Sequence, residues 1–132
     1  PVQEWFYQIK GDMMLKIVED SIIYDVPIRE GEVFLMPAHA IHAPQRPQEG
    51  SIGLVIEAPR EKGMMEGFEW YCFNCGEKVH RVEVSLEDPS MIVTELPKVY
   101  QNYHDDIEAR TCKNCGEIHP GKGKPPEGWV KL

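Results

Sequence analysis

Two near-identical cysteine hooks constrain this chain more than any other feature. Cys72-Phe73-Asn74-Cys75-Gly76-Glu77 is echoed by Cys112-Lys113-Asn114-Cys115-Gly116-Glu117, and the two hold all four cysteines. Two Cys-x-x-Cys-Gly turns aim four thiolates at one small volume, which suits a tetrahedral metal. The glycine of each hook supplies the positive φ of a tight knuckle, so that backbone N–H groups turn back toward sulfur. Residues 76–111 separate the two knuckles, so a sheet has to bring them together. Sulfur ligands alone do not distinguish iron from zinc. Without an export signal, paired hooks indicate a reducing cytosol and bound metal, with disulfide bridging as the alternative.

The 132 residues suffice for one domain with a small appended module. A formal net charge of −8 argues against nucleic acid or an anionic membrane as partner, because both need a basic face. That acidity also disfavours a zinc-ribbon nucleic-acid binder. The one basic concentration, Lys122 and Lys124, lies in a Pro/Gly-rich stretch that reads as a flexible tail. No apolar run approaches the roughly 20 residues of a membrane span.

Hydrophobic patterning in the first sixty residues is that of short strands. Residues 5–9, 13–18, 22–28, 33–36 and 52–56 are aromatic or β-branched runs, punctuated by Gly11-Asp12, Glu19-Asp20, Arg29-Glu30-Gly31-Glu32 and the stretch from Pro47 to Gly50. Strands at this spacing suggest a sandwich or barrel. Beyond a charged, Met-containing connector at 59–67, the pattern predicts strands at 68–73 and 79–86. A helix is expected over 96–109, with Leu96, Val99, Tyr100 and Tyr103 on one face and Pro97 in its first turn. The boundary falls near Lys62: residues 1–61 form a partial barrel, and residues 62–132 form the C-terminal strands, helix and cysteine module.

Spacing adds a further signal. Glu4 is followed after six residues by Gly11; Gly31 is followed after five by Pro37, and Pro37 after four by His42. These intervals resemble the two signatures of the cupin jelly-roll barrel, in which the Glu and the His face inward from neighbouring strands and share a metal. The finer resemblance is to the 3-hydroxyanthranilate 3,4-dioxygenase family. It rests on Glu4-Trp5-Phe6-Tyr7-Gln8, on Phe34-Leu35-Met36-Pro37 leading to His42-Ala43-Pro44-Gln45-Arg46-Pro47, and on Leu54-Val55-Ile56-Glu57. Gly67-Phe68-Glu69-Trp70-Tyr71-Cys72 with the second hook is similar to the microbial branch, which carries a rubredoxin-like iron site.

The resemblance implies a mainly β cupin barrel with a C-terminal four-cysteine extension containing a short helix. It also implies an Fe(II)-dependent extradiol dioxygenase that converts 3-hydroxyanthranilate and O2 to 2-amino-3-carboxymuconate semialdehyde, on the route from tryptophan to quinolinate and NAD. Glu4 and His42 are then two ligands of the catalytic iron; Arg46 clamps the substrate carboxylate; and Glu57 binds the substrate and handles its hydroxyl proton. Cys72, Cys75, Cys112 and Cys115 hold the structural iron, or zinc. A facial two-His-one-carboxylate set leaves coordination positions open for substrate and gas. The same resemblance implies a homodimer, and the paired hooks indicate the cytoplasm.

The family's other His ligand and an upstream substrate-binding Arg precede its Glu, and this chain opens mid-pattern at Pro1-Val2-Gln3-Glu4 without Met. The expectation is a chain lacking its N-terminal strands, with residues 5–9 left as an unpaired, partly disordered edge. A non-catalytic cupin that binds only the cysteine metal is the alternative function, and a related aminophenol is the alternative substrate. His39 reads as a loop residue or a neighbour of the ligands, and His80, His104 and His119 are expected to lie outside the cysteine centre. Tyr7 and Gln8 read as packing and sheet residues.

Overall fold

The computed structural model describes residues 2–129, so Pro1 and residues 130–132, the outer ends of the two expected blocks, lie outside the described residues. The chain forms two compact units, residues 1–59 with 127–132 and residues 60–126. The closing segment groups with the first unit, where Lys16 pairs with Asp25 at 2.6 Å, donates to the Trp129 carbonyl and lies over the Trp129 ring. Among the described residues no helix is long and apolar enough to cross a membrane.

The first unit is two antiparallel sheets. Strands β1 (Glu4–Lys10), β4 (Val33–Met36) and β6 (Ile52–Glu57) form one in the order β4-β1-β6, and β2 (Met13–Glu19), β3 (Ile22–Ile28) and β5 (Ile41–Gln45) form the other in the order β3-β2-β5. Alternation sorts the side chains. On β1, Phe6 and Gln8 are buried, whereas Ile9 is exposed; Trp5 and Tyr7 share its face, as do Val33 and Leu35 of β4 and Ile52, Leu54 and Ile56 of β6. The core is Phe6, Met13, Leu15, Ile28 and Met36, with Ile17, Val26, Phe34 and Val55 packed against it.

The sheet pairings correct two expectations. The segment 5–9 is the middle strand of its sheet, with Glu4 opposite Met36 on one side and Glu57 on the other. Both partners come from later in the chain, as a jelly-roll connectivity allows. Residues 41–45, absent from the strands expected of the sequence, form β5, which pairs with β2 in the register Ile17↔His42 and Leu15↔Pro44. β5 is an edge strand, where a missing N–H is tolerated.

The second unit holds the hairpin β7 (Met65–Tyr71) and β8 (Lys78–Ser85), with a register shift between Trp70 and Tyr71. Three short helices come next, α1 (Ser90–Thr94), α2 (Leu96–Asp105) and α3 (Ile107–Arg110). The expected single helix over 96–109 therefore breaks. Asp106 adopts an extended conformation, and its carboxylate accepts the Ala109 N–H at 3.0 Å, capping a new turn. α2 buries Tyr103, whose ring stacks on Trp70 with centroids 4.1 Å apart.

Candidate active site and metal centre

Glu4 begins β1 and His42 lies on β5, so the two sheets of the first unit each contribute one side chain. His42 Nε2 and Glu4 Oε1 are 3.3 Å apart, and both side chains are largely buried. His42 Nδ1 lies 3.1 Å from the Ala40 carbonyl oxygen. Donation there fixes the tautomer and leaves the Nε2 lone pair turned toward the carboxylate. Burial opposes protonation of His42, but the Glu4 carboxylate and the Ala40 carbonyl outweigh it and hold the imidazole above its ordinary value. Two ligands about 2.1 Å from a common ion and at right angles stand about 3 Å apart, so the observed separation suits a shared cation. Phe6 meets the His42 ring edge-on at 6.1 Å.

Arg46 comes directly after β5, and its Nη1 donates to Gln8 Oε1 at 2.7 Å. Glu57 stands opposite Glu4 in the β1/β6 register. Both carboxylate residues line an open cavity of about 230 Å³ with Trp5, Leu35 and Ile56. His39 sits in the turn before β5 with φ of 67°, a left-handed conformation. Gln8, read from sequence as a sheet residue, is fully buried and touches Arg46 across the unit. The available hint was its place on the same face of β1 as Glu4.

In the second unit the two hooks meet. The sulfurs of Cys72 and Cys115 are 3.5 Å apart and those of Cys75 and Cys112 3.6 Å, and the four ligand atoms lie within 4.8 Å of one another with no histidine among them. Four sulfurs about 2.3 Å from a tetrahedral ion are about 3.8 Å apart, so the set fits a metal, and all four cysteines are free of disulfides. The hooks repeat one another in detail. Cys72 N–H donates to Glu77 O and Gly76 N–H to Cys72 O, at 2.8 and 2.9 Å; Cys112 with Glu117 and Gly116 with Cys112 repeat the same two bonds at the same lengths. Gly76 and Gly116 have φ of 77° and 78°, which only glycine adopts without strain.

Each hook presents one buried and one exposed sulfur. The Asn114 side chain and the Glu77 N–H hold the exposed Cys75 thiol below its usual value, whereas burial pushes Cys72 up. Around them stand aromatic and imidazole rings: His119 stacks on Phe73 at 4.8 Å, and His80 stacks on Tyr103 at 5.4 Å. Burial, with Arg110 and His104 nearby, pushes His119 down to about 4, so it is a neutral packing group at ordinary pH.

Comparison with known proteins identifies the family. The family model for 3-hydroxyanthranilic acid dioxygenase matches residues 1–104. The chain belongs to that family. Over all 132 residues it is 63% identical to the 3-hydroxyanthranilate 3,4-dioxygenase of Ruegeria pomeroyi and 61% identical to that of Jannaschia sp., covering 71% of each. It is 47% identical over 122 residues to the enzyme of the same name from Burkholderia cenocepacia, covering 92% of this chain and 67% of that one.

Membership in the 3-hydroxyanthranilic acid dioxygenase family makes the chain part of an oxygen-using enzyme and favours that reading over a non-catalytic cupin. The family implies a metal cofactor, and the chain has two donor sets that suit one. The first is the mixed carboxylate and imidazole pair, hard enough for a redox metal with open positions; the second is the all-sulfur tetrahedron.

Proposed function

We propose that this protein is an iron-dependent extradiol dioxygenase that opens the ring of 3-hydroxyanthranilate with O2 to give 2-amino-3-carboxymuconate semialdehyde. The observation that carries the proposal is the convergence of Glu4 and His42 from opposite sheets at 3.3 Å, with the Arg46 guanidinium in the same unit.

Glu4 and His42 would hold Fe(II) as two members of a facial three-ligand set. When bound, that ion supplies a coordination site for the aminophenol and for O2, which lets a spin-paired aromatic react with a triplet gas. The protein's own groups do the rest. Ala40 accepts from His42 Nδ1 and keeps Nε2 basic toward the metal. Arg46 binds the substrate carboxylate through its planar fork, which fixes the ring in two dimensions where an ammonium would fix only a point. Glu57, across the sheet from Glu4, accepts the proton of the 3-hydroxyl on its carboxylate oxygen, so that the substrate enters the site as the more electron-rich phenolate. Phe6 closes the apolar side behind His42 and excludes water there.

The cysteine centre holds a second iron, or zinc, as a structural ion: its shell is closed by four sulfurs, which leaves no place for substrate. The enzyme acts in the cytoplasm as a homodimer, on the route from tryptophan to quinolinate and NAD. Support for the homodimer and the route is the family resemblance of the motifs at residues 4–8, 34–47 and 54–57, and support for the cytoplasm is the pair of disulfide-free cysteine hooks.

The test is the appearance of the muconate semialdehyde, followed by its absorbance, in protein expressed from the complete reading frame that contains this chain and supplied with Fe(II) and O2. Turnover of 3-hydroxyanthranilate well ahead of 2-aminophenol is expected. No product from either would overturn the proposal, and preference for 2-aminophenol would replace the substrate.

A further inference from the structure

Arg46 does not stand alone. Its Nη1 donates to Gln8 Oε1 at 2.7 Å, and Gln8 Nε2 donates to the Lys10 carbonyl at 2.9 Å, so the amide is orientated from both ends. Gln8 is fully buried, and its backbone is pinned as well: its N–H donates to Glu32 O at 3.0 Å and its carbonyl accepts from Gly31 N–H at 2.7 Å. The β1/β6 register shifts immediately after Gln8, between Gln8 and Lys10, and such a bulge re-aims the side chain beside it. Directly opposite Gln8 on β6 stands Gly53. A Cβ at that position would collide with both terminal nitrogens of Arg46 and would come within 2.7 Å of Gln8 Oε1. The guanidinium therefore lies on bare backbone, with a neutral amide holding one of its five N–H donors.

We propose that Gln8 and Gly53 are positioning residues that set the guanidinium plane of Arg46 and thereby make the enzyme selective for carboxylate-bearing aminophenols. The inference rests on the reading of Arg46 as the carboxylate clamp. The chemistry explains both residue types. A glutamine accepts a hydrogen bond without cancelling charge, so Arg46 keeps its full positive charge for an anionic substrate; a glutamate would hold the fork equally well but neutralise it. Glycine at 53 gives a flat guanidinium room to lie against the sheet, and any side chain there forces it to tilt. Neither residue touches the metal ligands through a hydrogen bond of its own, so their influence falls on substrate binding and not on the metal.

Steady-state kinetics on the intact enzyme test this, with 3-hydroxyanthranilate against 2-aminophenol, which lacks the carboxylate and serves as substrate or as competitive inhibitor. Gln8→Met keeps the length and removes the acceptor. It should raise KM for 3-hydroxyanthranilate about tenfold while kcat moves less than about threefold and the constants for 2-aminophenol stay in place. Gly53→Ala reaches the guanidinium from the other strand and should give the same split, so a folding failure of one variant leaves the other to decide. Gln8→Glu should also raise KM for the carboxylated substrate, because the new charge competes for Arg46. Equal losses on both compounds would mean a packing role and would overturn the proposal. Arg46→Met separates the clamp from its positioning. If it abolishes the preference for the carboxylate while the Gln8 and Gly53 variants keep it, the positioning role alone is wrong. If Arg46→Met itself keeps the preference, the reading of Arg46 falls and this inference falls with it.

Discussion

The two candidate metal sites of this chain are built in opposite ways. The cysteine centre is one local turn used twice, with the same backbone hydrogen bonds at the same lengths in both hooks. The Glu4/His42 site has no internal repeat. It takes one carboxylate from β1 and one imidazole from β5, with Arg46 supplied by the residue after β5 and Glu57 by the end of β6. Four sulfurs saturate a tetrahedral ion, whereas one imidazole and one carboxylate leave most of a coordination sphere open. On the proposed reading, the closed, self-templated site would serve stability and the open site assembled by strand register would serve chemistry.

The largest test of that contrast is His42→Ala. It should lower turnover more than about 100-fold, since the loss of a ligand exceeds the 10- to 100-fold usual for residues behind one. Metal analysis should show the cysteine-bound ion retained and the other lost. Loss of both would mean that the sites are not independent.

Cys72→Ser inverts the experiment. Structural metal binding is folding free energy, so removing a buried ligand should cost several kcal/mol and lower the melting temperature of the second unit. The altered protein should release its cysteine metal while the Glu4/His42 site still binds its own. An unchanged melt would make the sulfur tetrahedron incidental to stability.

The same contrast governs what could be read from the sequence. The cysteine centre is legible because its geometry is local: spacing, glycine and asparagine repeat within each hook. The strands of the first unit other than β5 are legible as aromatic and β-branched runs between turn residues. The Glu4/His42 pair shows only through intervals that resemble a family pattern, because neither residue's neighbours reveal which strand will lie across from it. β5 was hidden by Pro44, a loop signal tolerated at a sheet edge, and the helix break was hidden in the ability of Asp106 to cap the next helical turn. Gln8 was hidden most deeply, since its importance comes from a residue 38 positions away.

A smaller effect concerns the hairpin that carries the first hook. Glu69 on β7 is 3% exposed and accepts from Tyr71 Oη, Lys78 Nζ and Arg81, of which Lys78 lies at 3.0 Å. Burial alone would raise its pKa, but these donors outweigh it and hold the carboxyl below the ordinary 4.5. A depressed folded pKa stabilises above the unfolded value, and that contribution is lost as pH falls through 4.5 toward the folded value. Glu69→Gln should therefore cost about 2 kcal/mol at neutral pH, held to that size because Lys78 and Arg81 are nearly half exposed and solvent screens them. In denaturant melts the difference from wild type should narrow as the medium becomes acidic. A difference that stays constant with pH would assign the effect to packing.

The finest test asks whether the two hooks are only copies or also support each other. Asn114 belongs to the second hook, yet its side chain hydrogen-bonds the Cys75 sulfur of the first. A donor to thiolate lowers its basicity and holds it in place for the metal without adding charge, so the bond crosses between the knuckles as a tie. Asn114→Ala should speed loss of the cysteine metal to a chelator by about tenfold, at the low end for a residue behind a ligand because Cys75 is exposed. The effect should not spread to the Glu4/His42 site, whose substrate KM should stay where it was. If metal release is unchanged, each knuckle holds its own pair of sulfurs and the repeat is structural duplication alone. If KM moves as well, the contrast between a closed centre and an open one no longer describes two separable sites.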